Sequence, residues 1–170
     1  MLTRTGYWAI PHTAKLEGME LIFRRARQED VGKIVRLLAD DHLGASREDV
    51  SDPVPASYIS AFAEMDSDPR QELIVVEIDG VVIGCLQLTI IRGLSHQGAR
   101  HGQIEAVRVD SKLRGRGIGE RLIHHAVERA REHGCRVVQL TTHRSRVDAH
   151  RFYDRLGFHA SHLGYKLSLE

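Results

Sequence analysis

Cysteine is scarce in this chain of 170 residues, with only Cys85 and Cys135 present. Both lie among apolar neighbours and lack zinc-ligand spacing, which excludes a disulfide scaffold and makes a reducing, cytoplasmic compartment the default expectation. Long apolar runs are missing too, and no stretch is long enough to span a bilayer. An excess of one charge sign is also lacking. A formal net charge of +1 provides no global field to draw the chain to nucleic acid or to an anionic membrane. Histidine is plentiful, but no His-x-x-x-His with a nearby acid occurs. The neighbours His124 and His125 point apart on a helix, and His159 and His162 fall on opposite sides of an extended segment, so no metal site is expected. Residues 1–19 have neither the apolar core of a secretory signal nor a regular period, and are expected to be a disordered tail or a misplaced start. Residues 20–170 then form a single domain with a sizeable core.

The most informative stretch runs from Ile104 to Glu120. Gln103, Glu105, Val107 and Val109 alternate with Ile104, Ala106 and Arg108, as in a strand. The chain then turns through Arg114, Gly115, Arg116, Gly117, Ile118 and Gly119 into a helix whose apolar residues Ile118, Leu122, Ala126, Val127 and Ala130 recur at helical spacing. Bare backbone N–H groups and two guanidinium groups thus meet at a helix N-terminus, a natural cradle for phosphate. Two familiar glycine loops do not fit. A Walker loop requires Lys-Ser or Lys-Thr after its last glycine. A dinucleotide fingerprint counted from Gly115 places Glu120 where its third glycine belongs, and Cys135 to Leu140 contains no ribose-binding acid.

A third pattern, [Arg/Gln]-x-x-Gly-x-[Gly/Ala], fits at Arg114, Gly117 and Gly119. Downstream, Arg136 to Thr142 reads as a buried strand, joined to the first by a right-handed parallel crossover. Ser145-Arg-Val-Asp148 resembles a capping box opening a helix with Ala149, Phe152, Tyr153 and Leu156, which Gly157-Phe158 ends. The pair of motifs, the loop and Ala149-x-x-Phe152-Tyr153-x-x-x-Gly157-Phe158, resembles the GCN5-related N-acetyltransferase (GNAT) family over about residues 20–170.

That resemblance implies a mixed α/β (α+β) fold. Its sheet would be mostly antiparallel with a central parallel pair splayed at the cofactor site, and helices would lie on both faces. The chain itself supplies a compatible order, β-α-α-β-β-β-α-β-α-β, with Asp79-Gly80 as a strong hairpin signal and the tail Phe158 to Leu169 as one long or two short strands. The resemblance further implies acetyl-CoA as cosubstrate. Its pyrophosphate would lie on the amides from Arg114 to Gly119, and its pantetheine arm would pair with backbone groups of Val107, Arg108 and Val109. Tyr153 would be the acid that protonates the leaving thiolate, close enough to the cofactor to touch it. Glu105 would be the base, acting through a water. Helical spacing alone would make Tyr153 a core residue, and Glu105 could equally be a structural ion-pair partner. Arg146 replaces an Asn often found three residues before the motif's Ala149; it would reach a phosphate or cover the helix N-terminus.

Function follows in the same terms: an N-acetyltransferase moving acetyl from acetyl-CoA to a primary amine in a ternary complex. Acids predominate from Gln28 to Arg70 and bases from Arg108 to Arg155, which would suit a small cationic amine and a polyanionic cofactor, although solvated helix faces also produce such patterns. Two alternatives are a protein-lysine acetyltransferase and a non-catalytic acyl-CoA-binding regulatory module. A nucleic-acid role for the Arg-Gly-Arg-Gly run ranks lower, because no aromatic residues interleave with it. The resemblance leaves monomer and homodimer open.

Overall fold

A computed structural model describes residues 13–16, 18–41 and 43–169. Its six strands are β1 (Thr13–Leu16), β2 (Met19–Arg25), β3 (Gln71–Ile78), β4 (Val81–Arg92), β5 (Arg100–Val109) and β6 (Cys135–Leu140). They pair in that order into one sheet. Every pairing is antiparallel except that of β5 with β6. The helices are α1 (Val31–Ala39), α2 (Ala56–Ser67), α4 (Ile118–Glu132) and α5 (Val147–Arg155), with α3 (Ser95–Gly98) a single turn whose His96 and Gln97 are left-handed. The mixed, mostly antiparallel sheet with helices on both faces is the architecture the resemblance implied.

The sheet separates two apolar layers. On one face α4 turns Ile118, Leu122, Ile123, Ala126 and Ala130 onto Leu21, Phe23, Ile74, Leu86, Leu88 and Ile104. On the other, Val31, Ile34, Val35 and Leu37 of α1 and Phe62 of α2 cover Val75, Val82 and Cys85. Each fully buried Leu or Ile contributes about 1.5–3 kcal/mol relative to exposure, which pins the sheet between its helices. Two carboxylates among the described residues are buried in this frame, Asp30, paired with Arg24, and Glu72. Glu72 accepts two hydrogen bonds from Arg129, at 2.9 and 2.7 Å, and contacts His133 Nε2 at 2.8 Å. Burial alone would raise its pKa, but these partners outweigh burial and hold it at about 2.

Four sequence expectations change. Thr13–Leu16, within the opening expected to be irregular, is strand β1 with Leu16 buried against the core; residues 1–12 lie outside the described residues. The cap of α5 is Arg146 rather than Ser145, with no side-chain cap bond, because the Ser145 hydroxyl lies 2.7 Å from His143 Nδ1 instead. Strand β6 is not fully buried: Arg136, Val137 and Gln139 are exposed, since among the described residues β5 is its one partner strand. The tail 159–169 forms no strand, and Leu163, Tyr165, Leu167 and Leu169 are almost fully exposed. Alternation of apolar and polar residues suits a strand, but a strand forms only where a neighbour takes its N–H and C=O groups.

Candidate active site

Two interruptions of the sheet create the site. The parallel ladder of β5 and β6 runs from Arg100 opposite Cys135 to Ile104 opposite Leu140 and stops there. β5 continues to Val109, so its last five residues face a gap on the β6 side. The second interruption is a bulge. Gln87 opposes Glu105 and Cys85 opposes Arg108, so three steps on β5 match two on β4. The extra residue is accommodated where Ala106 takes a left-handed φ of 54°. A regular strand would send Glu105 and Arg108 to opposite faces. The bulge sends both to the face of α1 and α2, while Val107 and Val109 pack with the α4 layer.

Beyond β5, Asp110 to Gly117 leads into α4. The side chain of Ile118 is buried and anchors the helix, whose first N–H groups have no intrahelical acceptor. Gly115 and Gly117 have φ of 79° and 76°, and a Cβ at either position would meet no atom within 4 Å. The left-handed backbone is what requires glycine there, and it leaves open space beside the amides. Gly119 packs near Phe152. Open amides, a helix N-terminus and the exposed Arg116 together suit a polyanion. Arg114 is already engaged within the protein. Its Nε donates to the Val109 carbonyl at 3.0 Å, and its Nη2 donates to the Asp40 carbonyl and carboxylate at 2.8 and 3.2 Å. Asp40 also accepts from the Ser111 amide at 2.8 Å. Arg114 therefore braces the loop against the end of α1.

Tyr153 lies on α5, edge-on to Phe152 at 5.1 Å and to Phe158 at 5.8 Å between ring centroids. Burial pushes its phenol pKa up, against the opposing charges of Arg108 and Arg146. The phenol therefore stays protonated through the neutral range and lies within electrostatic reach of both guanidinium groups. Glu105 is exposed. Its face-mate Gln103 accepts a 2.8 Å bond from Gln139 of β6.

Arg108, Arg146 and Asp41 form a cluster that the sequence did not announce. Asp41 Oδ2 accepts from Arg146 at 2.8 Å and lies 3.5 Å from Arg108 Nη2. Its Oδ1 accepts from the amides of Leu43 and Gly44 at 2.9 and 2.7 Å. Burial would raise the Asp41 pKa, but the Gly44 amide, the two arginines and the Leu43 amide hold it below the ordinary carboxylate value. Asp41 lies in a loop with no motif, so no sequence signal marks it. Arg108 was read only for its backbone, because strict alternation hid its true face. Cys85 is buried with its thiol pushed up to about 12 by desolvation, and Cys135 is raised by the same cause.

The profile of the acetyltransferase (GNAT) family matches residues 34–158. Over 113 residues the chain is 33% identical to the aminoalkylphosphonate N-acetyltransferase of Salmonella typhimurium, covering 66% of this chain and 73% of that one. Over 90 residues it is 34% identical to the glucosamine 6-phosphate N-acetyltransferase of Trypanosoma brucei brucei, covering 53% and 59%. Among solved structures, a transcriptional regulator from Bacillus halodurans C-125 superposes with a TM-score of 0.86 at 45% identity, covering 88% of this chain and 99% of that one. A Trypanosoma brucei acetyltransferase superposes with a TM-score of 0.71 at 28% identity, covering 88% and 99%. The loop at the head of α4, the parted strands and the tyrosine of α5 are thus set in a chain that belongs to the GNAT family of acetyltransferases.

Proposed function

We propose that this protein is an acetyl-CoA-dependent N-acetyltransferase that acetylates the primary amine of a small molecule by direct transfer in a ternary complex. The observation that carries the reading is the partly buried, protonated Tyr153 phenol, within electrostatic reach of Arg108 on the unpaired end of β5. The open amides at Gly115 to Gly119, the helix N-terminus and Arg116 fit the diphosphate of coenzyme A. The unpaired stretch of β5 from Val107 to Val109 fits the amides of its pantetheine arm. Two of its carbonyls already receive guanidinium donors, Val107 from Arg108 and Val109 from Arg114.

Bound acetyl-CoA supplies an acyl carbon held by a C–S bond that breaks as the new C–N bond forms. Glu105, on the face shared with Arg108, takes the proton that the attacking amine gives up, through an intervening water. Tyr153 Oη gives a proton to the departing sulfur and then regains one from solvent. Direct transfer is favoured over an acyl-enzyme because both cysteines hold their thiols protonated, Cys85 with burial as well. The Salmonella and trypanosome relatives are named for small amine substrates, which favours a small amine over a protein lysine. The acid-rich segment favours attraction of a protonated amine. Many of its acids are already paired, however, Asp30 with Arg24, Asp41 with Arg146 and Asp68 with Arg70.

The test is acceptor-dependent release of free thiol from acetyl-CoA over a panel of small amines and lysine peptides, with the N-acetyl product identified by mass spectrometry. Saturable turnover with a small amine is expected. Tight acetyl-CoA binding with no turnover on any acceptor would make the chain a regulatory acyl-CoA binder.

A further inference from the structure

We propose that the acceptor amine carries an oxyanion group, a phosphate, phosphonate or carboxylate, held by Arg108 and Arg146. This rests on the acetyltransferase reading above and specifies its substrate class.

The charges in the cluster do not balance. Among the described residues, the carboxylate of Asp41 is the one acid bonded to both Arg108 and Arg146, and its Oδ1 already receives two backbone amides. The side chain of Arg108 is 12% exposed and that of Asp41 is 17%, so this surplus positive charge lies largely out of water. Burying a guanidinium costs several kcal/mol unless donors and charge are both met. Arg108 meets them poorly. Its Nη1 donates to the neighbouring Val107 carbonyl at 2.9 Å, its Nη2 is 3.5 Å from Asp41, and its Nε is buried with no partner. Arg146 and Arg47 add like charge, and burial lowers the Arg108 pKa despite Asp41. Planar, permanently charged guanidinium groups arranged this way match the oxygens of phosphate, phosphonate or carboxylate.

Position assigns the anion to the acceptor rather than to the cofactor. The bulge at Ala106 places Arg108 on the same face as Glu105, under the segment that follows α1. The diphosphate cradle lies beyond Val109, at the head of α4. An amine that reaches Glu105 while its acidic end rests on Arg108 and Arg146 would have both ends fixed relative to Tyr153. A bound oxyanion would also supply the counter-charge that Asp41 alone does not.

The experiment compares kcat/KM for 2-aminoethylphosphonate, O-phosphoethanolamine and β-alanine with that for ethylamine and 1,3-diaminopropane. At least one amine bearing an anionic group should exceed the monocationic and dicationic ones, by roughly 10–100-fold for a charge-assisted pair of hydrogen bonds. In Arg146→Gln this ratio should collapse toward one, whatever the remaining absolute rate. Arg108→Gln should do the same if it folds. Because Arg108 is buried, the unaltered protein provides a second measurement. Methylphosphonate should inhibit competitively against the amine and not against acetyl-CoA. Equal kcat/KM for amines with and without an anionic group, or inhibition competitive with acetyl-CoA, overturns the inference while leaving the acetyltransferase intact. Absence of turnover on every amine would instead count against the acetyltransferase reading itself.

Discussion

Replacement of Tyr153 by Phe removes one oxygen and leaves the ring where it is. The ring packs edge-on against Phe152 and Phe158, contacts that Phe preserves, and no protein group among the described residues accepts a hydrogen bond from the hydroxyl. Stability should therefore change by under about 1 kcal/mol. Chemistry should change far more. A positioned general acid contributes roughly 10²–10⁴-fold, equivalent to about 2.7–5.4 kcal/mol of barrier. Because burial raises the phenol's pKa, the wild-type donor is protonated throughout the working range, and the loss in Tyr153→Phe should be flat with pH between about 6 and 8. The assay is single-turnover thiol release at saturating acetyl-CoA and amine, so that product release does not mask the step. Calorimetric affinity for acetyl-CoA should be unchanged. An acetyl thioester with a more acidic thiol needs less protonation as it leaves, so the defect should shrink with it. Equal single-turnover rates in wild type and Tyr153→Phe would refute the role.

Gly117→Ala forces an L-residue into φ 76° and places a methyl group in the open space beside the loop amides. It should cost roughly 1 kcal/mol of stability and weaken acetyl-CoA binding at least tenfold by calorimetry. Gly134→Ala, at φ 73° with the same empty surroundings at the other end of α4, should cost similar stability without affecting the cofactor. If both lose affinity alike, the loop is not the cradle. Glu105→Gln should lower kcat/KM by about 100-fold near neutral pH, with the deficit shrinking as pH rises and the amine deprotonates unaided; a constant deficit would argue against proton acceptance. Glu72, whose folded pKa lies below its ordinary 4.5 at about 2, contributes stability that is fully present above pH 4.5 and is lost as pH falls toward 2. A shift of that size corresponds to about 3 kcal/mol. Chemical denaturation of wild type and Glu72→Gln should differ by that order at pH 7 and converge toward pH 2, and a gap independent of pH would contradict the ion pair.

Local patterns stated much of this protein in advance. The period of Ile118, Leu122, Ala126 and Ala130 is that of a helix lying on a sheet, and that is where α4 lies. Asp79-Gly80 joins β3 to β4 with Ile78 opposite Val81, because few dipeptides other than Asp-Gly suit so tight a turn. The glycines of the loop were legible as well, since positive φ is a requirement of the backbone at the residue itself. The tail shows the limit of such reading: its alternation was correctly seen, but pairing depends on a neighbour that the pattern does not name.

The sequence by itself determined the family, the four longer helices, the hairpin and the glycine loop, and it put forward Tyr153 and Glu105 as candidates, because each depends on residues within a few positions of one another. Only the tertiary structure decided that Arg114 braces Asp40, that Arg108 shares a face with Glu105, and that Asp41 stands between two arginines. The first and last join residues more than sixty positions apart. The other turns on a single inserted residue at Ala106, a left-handed alanine that no local preference predicts and that the hydrogen-bond register between β4 and β5 imposes.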